Sequence, residues 1–177
     1  MVSRRAVFLD RDGVLAVPEF RDGRSFAPRR VADFRLYDDA AASVARLKAA
    51  GFTTVVVTNQ PDVGDGLVEL SVVEEMHRIM AEALPVDAIE SCYHGHHETC
   101  DCRKPKPGML VRAAERFGID CRRSFMVGDR GSDIVAGHAA GCATILIDLG
   151  YTAVDLGAPH HKVASLTAAA DIILAGA

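Results

Sequence analysis

Four short polar stretches carry side chains on which chemistry could rest. In "DRDGV", residues 10–14, Asp10 and Asp12 lie two residues apart at the end of an apolar run. Two carboxylates so placed can face one ligand as nucleophile and acid, or can simply close a surface turn with Gly13. "TNQ", Thr58 to Gln60, offers a hydroxyl and two amides, suited to a phosphate or to a strand cap. "RKPKPG" puts Arg103 and Lys104 just before an expected helix, whose amino end also favours anions. "GDRGSD" holds Asp129 at an expected strand end and Asp133 where a helix-capping acid would stand. Between the second and third stretches, "CYHGHHETCDC" gathers three of the five cysteines and three of the seven histidines. That loop could hold a metal, exchange electrons or only bend the chain, and its residues alone do not decide.

The elements that must position these groups show in the apolar pattern. "AVFLD", "TTVVVTN", "VDAIESCYH", "SFMVGD" and "ATILID" are rich in β-branched residues and do not alternate with polar ones, as befits strands covered on both faces. Between them lie "DDAAASVARLKAAG", "SVVEEMHRIMAEAL", "GMLVRAAERFG" and "SDIVAGHAAG", each with helical composition and most stopped by glycine. Ser71 and Glu74 have capping-box spacing at the start of the second. The alternation predicts an α/β fold: a Rossmann-like open, mostly parallel sheet with helices on both faces. In such sheets ligands bind at the carboxyl ends of the strands, which is where every polar stretch falls. Pro18 to Phe34 is expected to be an irregular loop over those ends.

At 177 residues the chain predicts a single domain spanning 1–177. No apolar run approaches the roughly 18 to 20 residues needed to cross a bilayer, so no membrane partner is expected. The two arginines at positions 4 and 5 precede only four apolar residues, which fits a first strand rather than a signal segment. Clustered cysteines fit a reducing, cytoplasmic setting better than a disulfide framework. A net charge of −4 and 6% aromatic residues argue against a nucleic-acid partner and leave a small phosphorylated metabolite. Cys121 and Cys142 have no close cysteine partner in sequence, and His77, His138, His160 and His161 are expected to have no role.

Taken in order, "DRDGV", "TNQ", "RKP" and "GDRGSD" resemble the four signature motifs of the haloacid dehalogenase (HAD) superfamily, in its phosphatase branch. The cysteine loop running into "CDCRKP" is similar to that of the zinc-containing D,D-heptose 1,7-bisphosphate phosphatases and related histidinol-phosphatases. The resemblance implies a HAD fold, here without a large cap domain, and a phosphomonoester hydrolase. It implies that Asp10 attacks phosphorus and Asp12 serves as acid and then base. Thr58, Asn59, Arg103 and Lys104 would bind the phosphate or substrate. Mg²⁺ would bind Asp10, the backbone carbonyl of Asp12 and Asp129, with Asp133 orienting Lys104 or a water. A structural Zn²⁺ would take Cys92, His94, Cys100 and Cys102 in a loop at about 92–102. His96 and His97 are chemically equivalent candidates, and the resemblance selects His94.

Departures from the family pattern occur at Ala16, where the heptose enzymes carry Asn, at Pro61 in place of Ser, and at Asp65 in place of Arg. A carboxylate at 65 pointing into the pocket would repel a second phosphate. A sugar phosphate such as the heptose bisphosphate remains the expected substrate, with histidinol phosphate as the alternative. A polynucleotide 3′-phosphatase and a non-catalytic zinc-stabilised binding module are further alternatives, the first disfavoured by charge and composition, the second by the intact acids and Lys104.

Overall fold

The structure is a computed structural model that describes residues 3–150 and 157–176; of the expected single domain, residues 1–2, 151–156 and 177 lie outside them. Strand β1 (Ala6–Leu9) is followed by a hairpin of β2 (Glu19–Arg21) and β3 (Arg24–Phe26), then α1 (Ala40–Ala49). Next come β4 (Thr53–Asn59), the single turn α2 (Pro61–Gly64), α3 (Leu70–Ala83) and β5 (Ala88–Cys92). The second half holds α4 (Gly108–Phe117), β6 (Phe125–Gly128), α5 (Gly131–Ala140), β7 (Ala143–Ile147), β8 (His161–Val163) and α6 (Leu166–Ala175). The main sheet has the order β5-β4-β1-β6-β7-β8, and every pairing in it is parallel.

Strand geometry sends successive side chains to opposite faces, and the buried residues divide accordingly. Val7, Leu9, Val56 and Val127 pack with Val44 and Leu47 of α1, Met76 and Met80 of α3, and Ile173 of α6. Ala6, Phe8, Val55, Val57 and Met126 pack instead with Met109, Leu110 and Ala113 of α4 and Ala136 of α5. Both faces are therefore covered, which is why these strands read as continuous apolar runs. The chain moves from β1 out to β4 and β5 on one side, then returns to β6, β7 and β8 on the other. This reversal opens a crevice beyond the carboxyl ends of β1, β4 and β6, where the polar stretches lie.

Three expectations need correction. The Ser71–Glu74 capping box is not formed: α3 starts at Leu70, with Glu69 as a cap whose side chain makes no capping bond. The 18–34 stretch is not wholly irregular, because Asp22 and Gly23 both take positive φ, 51° and 73°, and turn the chain into the β2–β3 hairpin. Asp-Gly is the pair that suits this tight turn; the flanking strands were too short to register as a pattern. No separate cap domain stands between β1 and α1. Finally β8 and α6 were not anticipated, although Ser165 caps α6 by accepting from the Ala168 N–H at 3.2 Å.

The C-terminal helix is part of the core rather than an appendage: Ile173 has no exposed surface and belongs to the cluster that includes α1. Ile173→Ala should lower unfolding free energy by about 2–5 kcal/mol, measured by urea denaturation. A loss under about 1 kcal/mol would contradict this packing.

Candidate active site

Three of the polar stretches sit where β1, β4 and β6 end, whereas Arg103 and Lys104 lie beyond the cysteine loop, just ahead of α4. Asp10 follows β1, and its Oδ1 accepts from the Arg11 backbone N–H and from Lys104 Nζ, both at 2.8 Å. Lys104 is only 3% exposed, so its ammonium must be matched inside the protein. It is matched by Asp10, by Asp133 Oδ1 at 2.6 Å, and by the Val57 carbonyl at 2.7 Å. Burial opposes the Lys104 charge, but Asp10 and Asp133 outweigh it and raise the pKa. Asp133 is pushed up to about 6 by burial and by the charge of Asp10, against the pull of Lys104.

Asp133 has a second task, since its other oxygen accepts from the Arg130 N–H at 3.0 Å and closes the first turn of α5. Gly128 is required here, because a Cβ would run into the Asp133 side chain. Asn59 holds Lys104 by its backbone, donating to the Lys104 carbonyl and accepting from its N–H, each at 3.0 Å. Thr58 is 1% exposed and accepts from Gln60 Nε2 at 2.9 Å.

The Asp12 carboxylate lies apart from Lys104. Arg11 Nε donates to both its oxygens at 3.1 Å, Arg11 Nη2 to Oδ2 at 2.8 Å, and Gln60 Nε2 to Oδ2 at 2.9 Å. Gln60 and Arg11 were not singled out in the sequence, though both lie inside quoted motifs. Their neighbours drew the attention because a lone arginine or amide has no spacing signature.

Oxygens of Asp10, Asp129 and Asp133 lie within 4.8 Å of one another. Three buried carboxylates converge there, a set of oxygen ligands that suits a hard divalent cation. Gly13, at φ 92°, allows this approach, since any Cβ there would strike the Asp129 carboxylate. The donor set therefore fits a magnesium-type ion.

Cys92, His94, Cys100 and Cys102 form a second cluster, also within 4.8 Å. Cys92 and Cys100 sulfurs are 3.7 Å apart, and His94 Nδ1 lies 3.4 Å from Cys92 and 3.3 Å from Cys102. Zinc–sulfur bonds of about 2.3 Å in a tetrahedral site would separate two sulfurs by roughly 3.8 Å. Burial, reinforced by the neighbouring thiols, pushes Cys92 up to about 12, so a cation is needed to hold it as thiolate. Burial raises the Cys100 pKa as well, but backbone hydrogen bonds from Arg103 and Cys102 help turn the net shift downward. Of the two equivalent candidates, His96 pairs with Asp65 and His97 lies exposed outside the cluster.

The cleft above Asp10 has a volume of about 630 Å³ and is lined by Asp12, Lys104, Asp129 and Asp133 below and by Arg24, Arg103 and Arg130 nearer the mouth. Arg130 ties the hairpin across it, donating to the Ser25 carbonyl at 2.9 Å and hydroxyl at 2.7 Å. Arg103 donates to the carbonyls of His94 and Gly95, which fastens it to the cysteine loop. Asp65 lines the cleft too, where it meets the His96 ring and accepts from the His96 backbone N–H, and the ring contact above all lowers its pKa. Cys121 and Cys142, distant in sequence, lie near enough for each thiol to shift the other's pKa, Cys121 downward and Cys142 upward.

His77 has a place that the sequence did not disclose. It is 8% exposed, with Nε2 3.2 Å from Arg11 Nη1. Burial, helped by the Arg11 charge, pushes its pKa down from 6.5 to about 4.

Similar proteins match nearly the whole chain. Residues 101–169 match the family model described as "HAD-hyrolase-like". The D-glycero-beta-D-manno-heptose-1,7-bisphosphate 7-phosphatase of Pseudomonas aeruginosa is 35% identical over 163 residues, 89% of this chain and 89% of its own. The Vibrio cholerae protein of the same name is 34% identical over 171 residues, 88% of each chain. Among solved structures, the D,D-heptose 1,7-bisphosphate phosphatase of Bordetella bronchiseptica, complexed with magnesium and phosphate, superimposes with a TM-score of 0.81 at 30% identity, covering 98% of this chain and 99% of that one. That from Burkholderia thailandensis gives 0.67 at 28% identity, covering 97% and 99%.

The buried imidazole sets a pH dependence. The unfolded chain binds a proton on His77 below pH 6.5, whereas the folded protein refuses it until about pH 4. Stability from this group is thus full above pH 6.5 and lost as pH falls towards 4, on the order of 3 kcal/mol in all. His77→Gln should flatten that part of the stability–pH curve. Equal slopes for both proteins across this window would contradict the assignment.

Proposed function

The chain belongs to the D-glycero-beta-D-manno-heptose-1,7-bisphosphate 7-phosphatases, within the HAD phosphatases, and from that premise we propose that it cleaves a phosphate from a heptose 1,7-bisphosphate through an aspartyl-phosphate on Asp10. It is a phosphoric monoester hydrolase; the substrate and the residue roles are the proposal. The observation that carries it is the buried Asp10–Lys104 pair at the floor of the cleft.

Both hydrogen bonds described on Asp10 fall on Oδ1, which leaves Oδ2 to attack phosphorus. As that P–O bond forms, the ester P–O bond breaks and the departing alkoxide takes a proton from Asp12. Asp12 then removes a proton from water, whose oxygen attacks the phosphorus of the aspartyl-phosphate and frees inorganic phosphate and Asp10. Lys104, which lines the cleft, and Thr58 beneath it would hold the phosphoryl oxygens, supplying positive charge and a hydrogen bond where charge develops. Asn59 contributes by fixing the Lys104 backbone. Mg²⁺, held by Asp10, Asp129 and the carbonyl of Asp12, would offset the repulsion between carboxylate and phosphate. Asp133 orients Lys104.

A bisphosphate fits this cleft better than histidinol phosphate. Arg24, Arg103 and Arg130 line the cleft, and Asp65 is engaged by the His96 ring and backbone N–H. The cysteine cluster is proposed as a closed structural zinc site that fixes the loop ahead of Arg103 and Lys104. The expected cellular setting is the cytoplasm; among the described residues no helix is long and apolar enough to cross a membrane.

With Mg²⁺ present, kcat/KM should be higher for the heptose bisphosphate than for histidinol phosphate, and Asp10→Asn should lose at least about a thousandfold while remaining folded. Retention within about tenfold, near 1.4 kcal/mol, or a preference for histidinol phosphate would overturn the reading.

Elemental analysis of protein purified without chelator should find about one zinc per chain. Cys100→Ser should lower both zinc content and melting temperature, because structural zinc contributes directly to folding. Zinc-free protein with an unchanged melting temperature would refute the structural site.

A further inference from the structure

Arg11 is one of the largest side chains with no exposed surface, and its five N–H groups must all be satisfied from within. Nε and Nη2 face Asp12, at 3.1 and 2.8 Å. Nη1 reaches His77 Nε2 at 3.2 Å, and the Phe34 ring lies 5.5 Å from the guanidinium carbon. On the far side, His77 Nδ1 lies 3.5 Å from the Tyr93 hydroxyl. Tyr93 stands between Cys92 and His94, two members of the cysteine–histidine cluster.

Since no water reaches Arg11, its orientation is set by these groups alone. The imidazole is neutral across the ordinary pH range and therefore available as an acceptor through Nε2. A guanidinium that lost this acceptor would keep a buried N–H unsatisfied, and it would turn towards another oxygen to relieve the cost. Asp12 would turn with it, because its two oxygens share the same fork. Displacement of a reacting group by about 1 Å is enough to slow a reaction a hundredfold.

We propose that His77 is a positioning residue: through the Arg11 guanidinium it sets the aim of the Asp12 carboxylate, and through Tyr93 it ties that aim to the cysteine–histidine loop. His77 sits on α3, far in sequence from every motif, among Val73, Met76 and Met80 on the buried face of the helix. The same loop that leads into Lys104 would then also steady the acid on the opposite side of the cleft. This inference rests on the acid–base role of Asp12 proposed above.

The test uses the leaving group. An alkoxide needs a proton to depart, whereas p-nitrophenolate leaves without one, and kcat/KM reports only steps through the first irreversible one. Kinetics with heptose bisphosphate and with p-nitrophenyl phosphate would be compared in native, His77→Leu, His77→Gln and Asp12→Asn proteins, with melting temperatures. His77→Leu removes the acceptor and should lose about ten- to a hundredfold on the sugar phosphate but less than about threefold on the nitrophenyl ester. His77→Gln returns an oxygen near the Nε2 position and should stay within about threefold of native on both. If His77→Leu does not fold, Arg11→Lys keeps the charge without the fork and must show the same selective loss. Equal losses on both substrates, or none, overturn the proposal. If Asp12→Asn itself shows no dependence on leaving group, the acid–base reading fails and takes this one with it; a graded Asp12→Asn beside an ungraded His77→Leu sinks the His77 role alone.

Discussion

The Lys104 ammonium, buried between Asp10, Asp133 and the Val57 carbonyl, is the interaction on which the rest of the site depends. An isolated charge at that depth would cost several kcal/mol or more, so each of its partners must be held in place by the fold. β1 delivers Asp10, the first turn of α5 delivers Asp133, and β4 delivers both Val57 and the Asn59 amide that grips the Lys104 backbone. The open sheet makes this possible because its strand order reverses beside β1, bringing three strand ends to one crevice. The carboxylates of Asp10, Asp129 and Asp133 converge there as well, a donor set that suits a divalent cation.

On this account the cysteine–histidine loop steadies the motif that it precedes. The segment between β5 and α4 contains no regular element, and Arg103 is fastened to the loop's own carbonyls, while Cys92 and Cys102 reach into the core beside α4. A closed tetrahedral site there would brace the segment further. Tyr93 extends the same brace towards His77 and Arg11.

The parallel sheet was legible because burial on both faces leaves unbroken apolar runs, and three of the four motifs were legible because each ends such a run, while "RKP" stands just ahead of a helix. Asp10, Asp12, Lys104, Asp129 and Asp133 are accordingly found together at one cleft, and His94 rather than His96 joins the cysteines. What the sequence hid were contacts set by tertiary approach. His77 looked like one more residue on a helix face, Gln60 like a strand cap, and Arg11 like a spacer between two acids. The Cys121–Cys142 contact brings together residues on either side of β6 and α5. The β2–β3 hairpin escaped notice because three-residue strands carry almost no periodicity, and the Ser71–Glu74 pattern misled because α3 begins one residue earlier, at Leu70.

The central claim is that Asp10 itself takes the phosphoryl group, so that hydrolysis proceeds by two successive displacements at phosphorus. The stereochemical course tests it most directly, using a thiophosphate analogue of the substrate made chiral at phosphorus with oxygen isotopes, hydrolysed in water of a third oxygen isotope, and following the configuration of the thiophosphate released. Two in-line displacements, each inverting, predict overall retention. Net inversion would mean a single direct attack by water and would contradict the account.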